Sequence, residues 1–214
     1  MTETILISPF AGCGPQQIPN RVYSDNGLYQ REMEAFFYKG HWCYVALECE
    51  IPNAGDYKAT MIGERPVIVV RDRDGSVNVL ENRCAHKGAK FCQKEFGNAK
   101  VFVCPYHQWG YRLNGELAGV PMKNGVGGQG GMDADFKLEE HGLNRLKVQV
   151  HNGIVFASFD PDVEPFEQFI GSGLMPFFNR TFDGRKLTLL GYNRQRIRGN
   201  WKLMQENIKD PYHP

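Results

Sequence analysis

Two short groups of cysteine and histidine constrain this chain more than any other feature of its sequence. Cys84 and His86 form a C-A-H group, Cys104 and His107 form a C-P-Y-H group, and 17 residues separate the two. Thiolates and imidazoles are the side chains that bind zinc and iron, and four of them in two tight groups rarely lack a metal. The segment that carries them is therefore expected to bring two loops together around a metal centre.

Two kinds of metal centre are compatible with these four residues. A structural zinc ion usually takes a C-x-x-C pair from one loop and a similar pair from a second loop. Mixed pairs suit a Rieske [2Fe–2S] centre, in which two thiolates bind one iron and two imidazoles bind the other. The mixed composition favours the iron–sulfur centre over zinc. The remaining cysteines are predicted to have packing roles; they are Cys13, Cys43, Cys49 and Cys92.

Strand signals dominate the middle of the chain, and helix signals lie at its ends. The dipeptides Asp74-Gly75 and Asn114-Gly115 favour tight hairpin turns between apolar stretches. The predicted strands are 66–70, 76–80, 101–103, 109–113, 154–159 and 186–198. The predicted helices are 28–38, which Asp25 can cap, 165–178 and 201–208. Together these elements predict an α+β fold with an antiparallel β module in its middle.

Composition and charge exclude several classes of function. Net charge is +1 and apolar residues make up 42%, which gives no indication of a nucleic-acid or membrane partner. No secretory signal or long apolar span is visible, so a cytoplasmic location is expected. The glycines of 125–130 match G-x-G-x-x-G, but no strand precedes them and no helix follows directly. A dinucleotide site is therefore not predicted there.

The two ligand groups, together with Trp109 two places after the last ligand, resemble the pattern of the Rieske family. The resemblance implies a [2Fe–2S] cluster whose inner iron is bound by Cys84 and Cys104. It also implies that His86 and His107 bind the outer, more exposed iron.

The last residues, NWKLMQENIKDPYH (200–213), resemble the start of the mononuclear-iron site in the large (α) subunits of aromatic-ring-hydroxylating oxygenases. The resemblance implies that His213 is the first histidine ligand of a mononuclear Fe(II) and that Asn207 lies close to this iron. Asp210 would bridge that ligand to His107 of a neighbouring subunit. Asp210 and His213 are expected one helical turn apart. The family's second histidine and later aspartate are absent, so the chain is expected to be the front half of a longer subunit.

The resemblance also implies a domain organisation and a function. Residues 1–40 are expected to be a helical part of the catalytic domain, 41–160 the Rieske domain, and 161–214 the start of a helix-grip-like α+β catalytic domain. The implied reaction is hydroxylation of an aromatic carboxylic acid such as salicylate with O₂. An anthranilate- or terephthalate-type ring dioxygenase is an alternative, and so is a Rieske electron-transfer protein without catalysis of its own.

Partners follow from the same resemblance. Electrons are expected from NADH through a reductase and a ferredoxin, and the α subunits are expected to form a homotrimer, often with a small β subunit. An acidic ferredoxin could dock on lysines near the cluster; these are Lys87, Lys90, Lys94 and Lys100. Arg194, Arg196 and Arg198 are predicted to alternate along one face of the 186–198 strand.

Overall fold

The computed structural model describes residues 12, 14, 17–127 and 129–212. Two compact units are present: the larger is Ala35–Leu190, and the smaller combines Met1–Glu34 with Gly191–Pro214. Within the described ranges, no helix is both long enough and apolar enough to cross a membrane. The predictions for Cys13 and His213 lie outside the described residues.

The larger unit is built on antiparallel strands. Those of the described residues are β1 Cys43–Leu47, β2 Asp56–Ile62, β3 Arg65–Arg71, β4 Val77–Glu81, β5 Phe96–Asn98, β6 Phe102–Val103, β7 Gly110–Tyr111, β8 Leu117–Gly119, β9 Lys147–His151 and β10 Ile154–Ser158. They form three sheets with the orders β1-β10-β9, β4-β3-β2-β5 and β6-β7-β8. Five predicted strands are confirmed in position, and both predicted hairpin turns join neighbouring strands, β3 to β4 and β7 to β8.

Strand β3 links the two main hydrophobic clusters because its side chains alternate between them. Val67 and Val69 pack with the cluster around β1 and β10, whereas Ile68 and Val70 pack with the cluster around the predicted metal ligands. All four of these side chains are fully buried. Alternate residues of a strand point to opposite faces, so a strand buried on both sides is apolar throughout. This central strand gives the ligand-bearing loops a rigid base.

The α-helices of the described residues are α1 Arg21–Ser24, α2 Asn26–Glu32, α3 Phe166–Thr181 and α4 Trp201–Lys209. A π-helical stretch, Met33–Tyr38, follows α2, and short 3₁₀ turns occur at Glu48–Glu50 and Leu138–His141. The predicted cap of α2 is confirmed, since the Asp25 carboxylate accepts a hydrogen bond of 2.7 Å from the Leu28 amide. The predicted helix over 28–38 is thus α-helical only in its first part. Helix α3 is kinked at Gly171, where φ is 75°.

One prediction about the end of the chain is wrong. Residues 186–198 form no strand, because no described segment pairs with them and a strand is stable only within a sheet. The arginines that were expected to alternate along it are exposed in irregular backbone. The predicted spacing of Asp210 and His213 lies outside the described residues. The helix predicted over 201–208 is confirmed as α4, which ends at Lys209, and Asp210 after it has an extended backbone. Pro211 follows it, and the residue before a proline is disfavoured in the α conformation.

Candidate metal centre

Two loops with the same pattern of backbone hydrogen bonds carry the predicted ligands. In the first ligand loop (84–89) the Cys84 amide donates to the Ala89 carbonyl at 2.9 Å, and the Gly88 amide donates to the Cys84 carbonyl at 2.8 Å. In the second ligand loop (104–109) the corresponding groups form the same two bonds, each 2.9 Å long. Each loop is therefore closed on its own cysteine, which fixes the direction of that side chain before any metal binds.

The fifth residue of each loop has a left-handed backbone conformation. Gly88 has φ of 70°, and Gln108, at the equivalent place, has φ of 59°. Glycine adopts this conformation without a steric penalty, whereas a residue with a Cβ atom is strained in it. The second loop therefore stores strain that the first loop avoids.

The four predicted ligands divide by depth into an inner and an outer pair. Cys84 and Cys104 are buried, with exposures of 3% and 2%, and both belong to the hydrophobic cluster beneath the loops. His86 is half-buried and His107 is exposed. Their Nδ1 atoms face each other at 3.0 Å. The structure therefore brings the two imidazoles together at the surface above two buried thiols.

The separation of the imidazole nitrogens fits two ligands of one metal ion. With metal–nitrogen distances of about 2.0–2.1 Å, a separation of 3.0 Å corresponds to a ligand–metal–ligand angle of roughly 91–97°. In the described part of the chain, no group of three or more His, Cys, Asp or Glu side chains converges on one point. A tetrahedral zinc site needs four convergent ligands, but each iron of a Rieske centre needs only two from the protein. The donor set thus fits a [2Fe–2S] cluster better than zinc.

The electrostatic surroundings of His86 favour its neutral form. Partial desolvation, the neighbouring His107 and the charge of Lys87 all lower the pKa of His86. Because metals bind the neutral imidazole, this environment keeps the ring ready for a metal at lower pH than a free histidine would be.

Each of the two imidazoles is in contact with an aromatic ring. The indole of Trp109 is buried and stacks on His86, with 4.8 Å between ring centroids and 12° between planes. The ring of Tyr106 lies against His107 with a centroid distance of 3.8 Å and is 66% exposed. The structure thus places Trp109, which the sequence analysis singled out, against the predicted ligand His86, whereas Tyr106 was not singled out from the sequence.

Tyr111 is a further residue of the site that the sequence analysis missed. Its side chain is fully buried, and its hydroxyl oxygen lies 3.0 Å from the Cys84 sulfur and 3.1 Å from the Ala85 nitrogen. Burial, and next the Cys84 sulfur, raise the pKa of Tyr111, so the phenol keeps its proton. The spacing of Trp109 and Tyr111 is the signal that could have found it, because residues two apart on a strand point to the same face.

The other described cysteines have the surroundings of packing residues. Cys92 is buried in the cluster beneath the loops, and its backbone amide and carbonyl both bond to the side chain of the buried Asn82, at 2.9 and 2.8 Å. Cys43 packs beside the second cluster, where burial raises the pKa of its thiol to about 11. Thiols that stay protonated are poor nucleophiles and poor ligands, as a packing role requires. Cys49 is half-buried in the Glu48–Glu50 turn.

The predicted second iron site lies in the smaller unit. Asn207 is exposed on α4, and Asp210 is exposed just after the helix, where its carboxylate accepts a 2.9 Å hydrogen bond from the Tyr212 amide. Their oxygen atoms, with the imidazole of His213, are donor types that non-haem iron takes. A set of three ligands is not assembled among the residues that the structure describes.

Comparison with known proteins shows which family the ligand-bearing part of the larger unit belongs to. Residues 41–130 match the family model of the Rieske [2Fe-2S] domain. The chain contains a Rieske domain. The predicted [2Fe–2S] cofactor and the antiparallel Rieske fold are thereby confirmed, whereas the helix-grip-like form of the final domain stays a prediction.

Similarity to known oxygenases extends beyond the Rieske domain. The chain is 61% identical to the large oxygenase component of salicylate 5-hydroxylase from a Ralstonia species, over 95% of its own length and 49% of that protein. It is 46% identical to the anthranilate 1,2-dioxygenase large subunit of Burkholderia cepacia, over 92% of this chain and 46% of that one. The chain thus spans about half the length of these relatives, which are components of multisubunit Rieske oxygenases.

A solved structure supports the same relationship. Naphthalene 1,2-dioxygenase from a Rhodococcus species, solved with bound indole, superposes with a TM-score of 0.79 at 32% identity. The match covers 92% of this chain and 44% of that one. The predicted resemblance to aromatic-ring-hydroxylating oxygenases is therefore confirmed at the level of both sequence and fold.

Proposed function

We propose that this chain is part of the large subunit of an oxygenase that hydroxylates an aromatic carboxylic acid with O₂, and that salicylate is the substrate. The supporting observation is the 61% identity to a salicylate 5-hydroxylase component, against 46% for an anthranilate dioxygenase subunit. Both relatives act on a benzene ring that carries a carboxylate. An anthranilate- or terephthalate-type dioxygenase is the alternative within the same class.

In this proposal the two ligand loops hold the cluster. Cys84 and Cys104 bind the inner iron, and His86 and His107 bind the outer iron. The bound cluster supplies one-electron transfer at a potential of about −150 to +300 mV. The buried cysteines keep one side of the cluster away from water, and the exposure of His107 leaves a route on the other side by which an electron acceptor can approach.

The smaller unit contributes to a mononuclear Fe(II) site in this proposal. His213 is one ligand, Asn207 lies near the metal, and Asp210 accepts hydrogen bonds from that ligand and from His107 of a neighbouring subunit. Such a carboxylate orients the two imidazoles that it joins. The proposed domain boundaries remain at residues 40 and 160, with the N-terminal segment belonging to the catalytic domain.

The proposed partners follow from the need for electrons. NADH supplies them through a reductase and a ferredoxin, and the α subunits form a trimer with a small β subunit. Four exposed lysines in or near the sequence segments of the two ligand loops support docking of an acidic ferredoxin; they are Lys87, Lys90, Lys94 and Lys100.

A product assay tests the proposed function. The full-length subunit, supplied with ferredoxin, reductase and NADH, is expected to convert salicylate to a hydroxylated product faster than it converts anthranilate or terephthalate. Product and consumed NADH are measured together, and a His86→Ala variant without an intact cluster is the control. Faster turnover of anthranilate or terephthalate would select the alternative substrate. A cluster that is reduced and reoxidised with no product from any of the three acids would instead indicate an electron carrier.

A further inference from the structure

Helix α4 begins with three residues that each bond to the N-terminal helices. The Asn200 side chain caps α4 by accepting from the Lys202 amide at 3.1 Å, and its amide group donates to the Tyr23 carbonyl at 3.1 Å. The Trp201 indole N–H donates to the Glu32 carboxylate at 3.2 Å, and the Lys202 ammonium lies 2.6 Å from the same oxygen. The start of α4 is therefore attached through three consecutive side chains.

Glu32 is the centre of this attachment and is removed from water. Its side chain is 9% exposed and that of Lys202 is 15% exposed, so the ion pair is largely desolvated. A buried ion pair is weak evidence for added stability, since apolar residues of the same size often stabilise a fold as well. Its directional bonds do specify one arrangement of the groups that it joins. The pair is thus better explained by orientation than by stability.

Orientation at the start of α4 controls the position of its end. Asp210 lies eight positions after Lys202, a length of about 12 Å at about 1.5 Å per helical residue. A tilt of about 10° at the start would displace the end by about 2 Å. Metal ligands tolerate deviations of only about 0.2 Å. Small changes in the attachment of α4 would therefore disturb a metal site at its C-terminal end.

We propose that Glu32 is a positioning residue for the mononuclear-iron site: its carboxylate holds Trp201 and Lys202 and so sets the direction in which α4 presents Asn207 and Asp210. The inference rests on the proposed function, because it assumes that α4 leads to that iron. It assigns Glu32 to a site whose proposed residues lie about 175 positions later in the chain, at Asn207 and Asp210.

The test compares Glu32→Gln, Lys202→Met and the double variant in the full-length holoenzyme. Glutamine still accepts the Trp201 hydrogen bond but loses the charge, and the double variant leaves no unpaired buried charge. Glu206→Gln and Lys209→Met make the same chemical changes on exposed positions of α4 and are the matched controls. The readouts are mononuclear iron affinity, the electron paramagnetic resonance (EPR) spectrum of its nitric oxide adduct, and the Rieske EPR signal.

Glu32→Gln is expected to weaken mononuclear iron binding about 10- to 100-fold, as loss of an orienting residue does. The nitric oxide adduct should change its spectrum, kcat should fall more than KM rises, and the Rieske signal should stay unchanged. The double variant should remain impaired, and both controls should resemble the wild type. Wild-type iron affinity in Glu32→Gln, or full recovery in the double variant, would overturn the inference.

Asp210→Asn separates this inference from the proposed function on which it rests. Normal turnover and normal iron binding in Asp210→Asn would refute the proposed site itself. Loss of turnover in Asp210→Asn, combined with wild-type behaviour of Glu32→Gln, would refute only the positioning role.

Discussion

The Tyr111 hydroxyl would donate a hydrogen bond to the Cys84 sulfur when the cluster is bound. The hydroxyl oxygen accepts from the Ala85 amide at 3.1 Å and lies 3.0 Å from the sulfur, and a metal-bound thiolate has no proton of its own to donate. A hydrogen bond to a cluster sulfur stabilises the reduced state more than the oxidised state, because reduction adds negative charge. Tyr111 is therefore expected to raise the reduction potential of the cluster.

Replacing Tyr111 with Phe should lower the midpoint potential by about 40–80 mV. This range corresponds to a difference of about 1–2 kcal/mol in hydrogen-bond energy between redox states, at about 59 mV per 1.4 kcal/mol. An EPR-monitored redox titration measures it. Tyr57→Phe is the matched control, since Tyr57 is buried in the same cluster but lies beside Cys92, which is not a predicted ligand. Equal midpoint potentials in Tyr111→Phe and Tyr57→Phe would contradict the proposed hydrogen bond from Tyr111 to the Cys84 sulfur.

Individual residues of the site were predictable to different degrees. Cys84, His86, Cys104 and His107 were found from the sequence because metal ligands within a loop must lie close together in the chain. Glu32 gave no such signal, since its partner Lys202 is 170 residues away. A contact between residues so far apart in sequence forms only in the complete fold, and the spacing of residues within a short segment does not predict it.

The two ligand loops share a backbone hydrogen-bond pattern, and each has a left-handed fifth residue, which is glycine in one loop and glutamine in the other. Gly88 and Gln108 have nearly the same backbone conformation, so exchanging their residue types tests how much strain the second loop stores. Gln108→Gly is expected to raise the free energy of unfolding by about 0.5–1 kcal/mol, because relief of left-handed strain outweighs the added flexibility of the unfolded chain.

Gly88→Gln is the reciprocal change and is expected to lower the free energy of unfolding by about 1–2 kcal/mol. A Cβ atom there would also lie 3.0 Å from the Nε atom of Arg83. Thermal unfolding of the holoprotein, followed by the visible absorbance of the cluster and by circular dichroism, measures both variants. If both variants changed the free energy of unfolding in the same direction, backbone conformation at this position would not control the stability of the loops.

Turns that depend on adjacent residues were predicted well, whereas a strand that depends on a neighbouring strand was not. The hairpins at Gly75 and Gly115 follow from turn residues that are adjacent in sequence. The strand expected over 186–198 has the right residue types, but strand propensity does not identify a neighbouring strand. The helix predicted over 201–208 is confirmed as α4, which ends at Lys209 shortly before Pro211, because proline disfavours the α conformation in the residue that precedes it.

At the scale of the whole molecule, the proposed cluster ligands all lie within the larger unit. The 214-residue chain is therefore expected to bind about two irons and two sulfides and to keep them after treatment with a chelator. The mononuclear site should not hold a third iron in this chain, since a ferrous ion needs more ligands than His213 and a nearby carboxylate. Iron and sulfide analysis with EPR measures this, and a third tightly bound iron would contradict the proposed ligand set.

The pairing of Glu32 with Lys202 has a consequence for synthesis on the ribosome. At about 5–20 residues per second, α1 and α2 emerge roughly ten to thirty seconds before Lys202 does. The two helices have only 4 and 7 residues, too short to be stable alone. Residues 35–190 are complete during that interval and can fold around the cluster first. Helices α1 and α2 would then lack their partner until Lys202 emerges, which leaves them accessible to chaperones and proteases during that interval.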